Sequence, residues 1–355
     1  MDSPGGEVEA TRLQKLMEER NNRVLVVEEQ KENEEKEKTA AREEFYAKAM
    51  KEFRESIEGM GEPKEPYEQF RDHWMELWGE GGHFGDFEDN TAMPPMRFTL
   101  CGPRSGCTMD TLQFFYVKVA SIDDSLQWPL DVYGFVAVRD VLDRKRNMIF
   151  CCDRDNCQTI NQQDPYLALT GPTRGVAVSG DPCYFEVKLK LKGTAESEDK
   201  DFSLFASTYR PCCPKRMFTS KLSTLEMSFQ ELFNSVEATI SVEVTDGSWP
   251  DGFRGEFSAS TDNPPDMKVN LLKCVDEKLP AGADGKIQLT RRVVSVELDG
   301  FLKVSIIAHC VNVKPKICEA IFAPERCGTS FNSEIEVGSC RMKVTVCWSL
   351  FGLGP

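Results

Sequence analysis

Histidine is scarce, cysteine is missing from the first hundred residues, and no long uncharged apolar run occurs. Each shortage narrows what the chain does. Three histidines, His73, His83 and His309, supply few imidazoles for a zinc set or a Cys–His nucleophile. No window approaches the roughly 18 apolar residues of a membrane-crossing helix, so no transmembrane segment is expected. The opening residues, MDSPGGEVEATRLQKLMEER, have neither a basic stretch nor an apolar one, so no secretory signal is expected. Their acidity also argues against a transit peptide. There is no GxxxxGK[ST], no GxGxxG at a strand-to-helix turn and no GxSxG elbow. Nucleotide phosphates therefore lack an obvious cradle, and a serine nucleophile lacks its usual mount.

What is present is unevenly distributed. The formal charge is −15, and residues 1–90 hold 25 Asp and Glu against 13 Lys and Arg. The remaining 265 residues are close to balance, with 33 against 30. Neither part carries the clustered positive field that duplex nucleic acid requires. All 14 cysteines follow Leu100. Without an export signal they are expected to be mostly reduced and to act as small buried hydrophobes. The expected setting is the cytoplasm, with the nucleus as the alternative.

Three regions follow from the patterning. Residues 1–60 form a charged arm in which Tyr46, Met50, Phe53 and Ile57 recur at helical spacing. Glu32–Lys36 and Glu34–Lys38 pairs support the preceding turns by about 0.2–0.5 kcal/mol each, too little to hold an isolated helix firmly. A solvated or docked helix is favoured over a coiled coil, whose apolar heptads are missing. Residues 61–97 contain an aromatic helix bearing Tyr67, Phe70, Trp74 and Trp78, followed by a Gly- and Pro-rich linker. Aromatic rings of this size bury roughly 150–250 Å² each when docked, so the helix reads as a latch against the body. The other reading is a peptide that folds on a partner.

Residues 98–355 read as a mainly β domain, an antiparallel β-sandwich. Phe185, Val187, Leu189 and Leu191 alternate with Tyr184, Glu186, Lys188 and Lys190, the period of a half-buried strand. Val236 to Thr245 and Arg341 to Leu350 repeat that pattern. Asp299-Gly300 between two alternating runs predicts a hairpin. No helical pattern intervenes, which argues against parallel sheets.

Candidate chemistry is thin. Cys151, Cys152 and Cys157, and the Cys212-Cys213 pair, lack CxxC spacing, so no metal site is expected. His309 and Cys310 are strand neighbours and point to opposite faces, while His73 and His83 fall in the 61–97 region. Asp123, Asp124, Asp246 and Asp251 lie in loops; calcium needs six to eight oxygens, so several such loops must converge to hold it. Arg144-Lys145-Arg146 reads as a solvated hairpin tip. No catalytic, cofactor-binding or metal residue is assigned.

WPLDVYGFVAVRDVLDRKRNMIF (128–150), DNCQTI (155–160), DPYLALTGPTRGVAV (164–178) and FEVKLKLKG (185–193) resemble a family typical of grasses, domain of unknown function 6598. GDFEDNTAMPPMRFT (85–99) and VELDGFLKVSIIAH (296–309) extend the resemblance from about Phe84 to the C-terminus. The family has no established activity, so the resemblance implies no catalytic residues. Some members are fused to RNA-depurinating, ribosome-inactivating domains, which implies a link to stress or defence. Residues before Phe84 are too few and too charged for that domain, and Glu19–Arg23 misses its Glu-x-x-Arg spacing. The expectation is a non-enzymatic binding module that meets an unknown protein partner through the arm. The alternatives are a hydrolase acting on carbohydrate or RNA, and a calcium-dependent membrane adaptor.

Overall fold

The structure is a computed structural model that describes Lys48, Lys51 and residues 64–80, 84–102, 106–209, 211, 215–274, 276–310 and 313–352. Met1–Met60 and Gly61–Pro355 are separate units. In the first, Lys48 and Lys51 are helical, and the rest of the expected charged arm lies outside the described residues.

The second unit is mainly β, and every strand ladder in it is antiparallel. Its spine is β9 (Ser223–Asp246), a strand of 24 residues. The first half of β9 pairs with β1 (Met109–Ile122) and β8 (Lys215–Ser220). The second half pairs with β12 (Val293–Glu297) and β16 (Cys340–Ser349). Between the halves Asn234 takes a left-handed conformation, φ 46°, which Asn tolerates better than most residues. The amides of Phe233 and Asn234 donate to the carboxylates of Glu297 and Asp110, so the irregular backbone stays satisfied.

Edge strands β5 (Val176–Val178) and β15 (Gly328–Val337) complete this seven-stranded sheet. One end of it faces a five-stranded sheet of β2 (Leu130–Arg139), β3 (Arg146–Cys152), β4 (Gln158–Ile160), β6 (Tyr184–Leu191) and β7 (Lys200–Thr208). The other end faces β10 (Arg254–Thr261), β11 (Val269–Lys273), β13 (Leu302–Cys310) and β14 (Val313–Phe322). Two cores result. Phe114, Val136, Phe185, Val187 and Phe229 fill the first; Ile240, Phe257, Val304, Val344 and Trp348 fill the second. Each fully buried side chain of this kind contributes about 1.5–3 kcal/mol.

The Asp299-Gly300 turn departs from expectation. β12 joins the seven-stranded sheet through Val293↔Thr239, whereas β13 pairs with β10 and β14 in the facing sheet. The turn is therefore an arch between layers, because both strands bury better against their own sheets than against each other.

The aromatic segment forms α1 (Pro66–Trp74), followed by a π-helical stretch over Met75–Glu80. Pro66 opens the helix, where a missing N–H costs nothing. Tyr67, Phe70 and Trp74 share one stripe and are buried against Phe87 and Tyr184. The helix thus lies on the outer face of β6 and β7, adding a third layer over the first core.

Candidate functional site

The layer beneath α1 holds a cluster of buried charge. Arg139 ends β2 and Arg146 begins β3, and the two are register partners. Glu186 lies on the neighbouring strand β6, opposite Ala137. Alternation turns all three outward from the first core, into the space that α1 then closes. Glu186 is fully buried. Its carboxylate accepts from Arg139 Nε at 2.7 Å, from Arg146 Nη2 at 2.7 Å and from the Tyr67 hydroxyl at 2.6 Å. The guanidinium of Arg139 sits 4.2 Å from the Phe87 ring centroid and 4.8 Å from that of Trp74. Arg146 lies between Phe87 and Phe135 and reaches the Glu88 carboxylate at 2.7 Å. Aromatic faces and carboxylates together replace the water these cations have lost.

Burial lowers the pKa of Arg139, and the charge of Glu186 opposes that shift. Burial, then the Glu186 charge, raises the Tyr67 phenol above its usual range, so it remains a hydrogen-bond donor. Burial also pulls on Arg146, yet its hydrogen bonds and charge contact with Glu186 hold its pKa above the usual value.

The expected solvated tip at Arg144-Lys145-Arg146 is corrected here. Arg144 and Arg146 are buried. The β2–β3 loop folds inward because its acids find partners there. Arg174 donates to Asp140 through Nη1 at 2.5 Å and Nη2 at 2.9 Å, and also to Asp143 at 2.9 Å. Asp143 accepts from Thr91, and the carbonyl of Arg144 accepts from the Trp74 indole at 3.1 Å. Arg144 itself donates to Pro182 O and Asp181. Its left-handed backbone, φ 58°, lets that carbonyl turn toward α1.

Glu237 of β9 forms a third buried centre. Its two oxygens accept from the amides of Met96 at 2.8 Å and Gly175 at 2.7 Å, tying the linker and the approach to β5 onto the spine. Burial raises its pKa, against the pull of those amides. Beside it lies a pocket lined by Met93, Phe98, Leu142, Arg174 and Phe351, with room for about one water. The oxygens of Glu186, Asp140 and Glu237 all accept hydrogen bonds from named neighbours, which suits them to holding elements together.

The other sequence candidates stay apart. Asp123, Asp124, Asp246 and Asp251 are exposed. Among the described residues, no group of three or more His, Cys, Asp or Glu is placed to hold a metal. His309 pairs with Glu256 at 3.3 Å on the outer sheet face. Cys151 is exposed and Cys152 half-buried; His83, Cys212 and Cys213 lie outside the described residues. Cys101 and Cys327 form a disulfide, an exception to the expected reduced state. Sequence reasoning missed Arg139, Asp140, Arg174, Glu186 and Glu237. The available signal was charge between apolar strand neighbours, as in Phe185-Glu186-Val187 and Val236-Glu237-Ala238.

A family model described as a domain of unknown function, DUF6598, matches residues 111–346. The chain belongs to the DUF6598 family. The match contains Arg139, Asp140, Arg146, Arg174, Glu186 and Glu237, whereas α1 and Phe87 precede it. No curated protein matches the sequence. Among solved structures, human GIVD cytosolic phospholipase A2 is similar at 8% identity, over 69% of this chain and 33% of that one, with a TM-score of 0.21. The same enzyme in complex with methyl gamma-linolenyl fluorophosphonate gives 8% identity, 70% and 33% coverage, and a TM-score of 0.22. The DUF6598 chain spans about a third of those proteins, and likeness at this level carries no argument about fold or function.

Proposed function

We propose that this DUF6598 chain is a non-enzymatic protein-interaction module of the cytoplasm or nucleus. One observation carries the reading. Along β14, Val313, Ile317 and Ile321 stand outward at 50%, 60% and 66% exposure, on a strand that among the described residues forms a ladder only with β13 and meets β15 where Cys318 Sγ donates to Glu336 O. Ile307 lies beside Ile317 on β13, so the apolar row is two strands wide there. Outward apolar residues on a long sheet edge are what an added strand from another protein buries, through main-chain hydrogen bonds and alternate side chains. Pro315 and the flanking Lys314 and Lys316 limit indiscriminate edge pairing at one end of the strand, which favours a specific partner. The acidic arm, residues 1–60, serves in this reading as a second recruiting element. A role in stress or defence rests on the family resemblance alone.

The test is proximity labelling in cells, with the intact chain compared against Ile317→Lys/Ile321→Lys and against deletion of residues 1–60. The edge variant should lose a defined set of labelled proteins while keeping the parent's melting temperature. An unchanged set in the edge variant would refute the β14 surface, and an unchanged set in the deletion would refute the arm's part.

A further inference from the structure

We propose that the Cys101–Cys327 disulfide is a thiol-operated fastener whose reduction releases residues 94–102 from the end of β16 and opens the pocket they roof. The strap crosses that end through one isolated antiparallel bridge, Phe98 to Leu350, and a short set of hydrogen bonds. Met96 N donates to Glu237 at 2.8 Å, Phe98 N to the Ser349 hydroxyl at 2.9 Å, and Gly328 N to Thr99 O at 2.7 Å. Beyond Phe98 the apolar grip ends: Leu100 is 87% exposed, and Cys101 and Gly102 are exposed as well. The disulfide is therefore the covalent anchor of the strap's outer half, and it joins residues 226 apart in sequence. Met96 holds a left-handed backbone, φ 64°, a conformation that a released strap has no reason to keep.

The chemistry fits a switch better than a permanent brace. Cys101 is exposed and Cys327 buried, so in a thiol-buffered compartment, the setting proposed above, the bond is open to exchange at its Cys101 sulfur. A dithiol attacks one sulfur as its thiolate and forms a mixed disulfide; its second thiol then closes the dithiol's own ring. The Cys101–Cys327 bond breaks, both sulfurs leave as thiols, and two electrons and two protons pass from the dithiol to the protein. Release uncovers Met93, Phe98, Leu142 and Phe351 and gives solvent access to the Glu237 carboxylate.

Hydrogen exchange on the purified full chain, oxidised and after dithiothreitol, tests this without any partner. The amides of Met96, Phe98 and Gly328 should exchange at least tenfold faster after reduction, while Phe114, Phe229 and Ile240 keep their protection. Cys101→Ser should show the fast pattern from the outset and ignore dithiothreitol. Three results overturn the proposal: a disulfide that dithiothreitol leaves intact in the folded chain, unchanged strap exchange after reduction verified by mass, or loss of protection throughout both cores.

Discussion

Glu186 accepts from Arg139, Arg146 and Tyr67 at full burial, and that count governs what can replace it. Glu186→Met strands two buried guanidinium groups, and breaking a buried ion pair from one side costs about 3–5 kcal/mol. The triple replacement Arg139→Met/Glu186→Met/Arg146→Met removes all three charges and should recover most of that loss. Urea unfolding of both variants checks this; equal losses would show that the charges contribute no mutual compensation. Glu237 gives a pH signature with the opposite sign from an ordinary paired carboxylate. Its folded pKa is raised above 4.5, so the folded state binds the extra proton. Its contribution to stability therefore falls as pH rises from about 4.5 through the folded pKa. Relative to Glu237→Gln, the parent's melting temperature should decline over that interval, and a constant difference would remove the effect. The sequence signal for Glu186 and Glu237 was faint, a charge between two apolar strand neighbours. A charged residue at an outward strand position looks solvated until something else in the chain covers it, and the cover here comes from a segment more than a hundred residues from Glu186.

That cover is an element whose helical stripe was legible. Tyr67, Phe70 and Trp74 predicted a helix, and α1 forms over Pro66–Trp74. Its seat was not legible, because the outer face of β6 and β7 is a product of pairing across the whole sheet. Trp74 packs on Phe87 and on Arg139 and donates to Arg144 O, so Trp74→Ala removes a ring, a cation contact and a hydrogen bond together. The expected loss is about 3–5 kcal/mol, with protease cutting first within α1. A loss below about 1 kcal/mol would mean that the helix adds little to the unit. Strand existence was readable from the period of two in β6, β13, β16 and the second half of β9, but β8, β14, β15 and the first half of β9 were not read. The sheet to which each strand belongs was not, as the Asp299-Gly300 arch shows. A tight turn reports that the chain reverses; it does not report whether the reversal stays within one layer.

At the scale of the molecule, β9 makes two cores share one sheet, and its core-facing positions change from Leu225, Met227 and Phe229 to Val236, Ala238 and Ile240 across the irregular backbone at Asn234. The described acidic groups with the deepest burial serve this assembly: Glu186 fastens α1, Asp140 and Asp143 fasten the β2–β3 loop, and Glu237 fastens the linker. Among the described residues, the apolar row of β14 faces outward at 50–66% exposure. The proposed function therefore stands or falls with that strand. The most direct measurement is hydrogen exchange across residues 313–322 in the purified chain, alone and in complex with a protein recovered by labelling. The account predicts at least tenfold slower exchange along β14 in the complex, with the face of α1 unchanged. Protection confined to other strands, with β14 exchanging as freely as before, would contradict it.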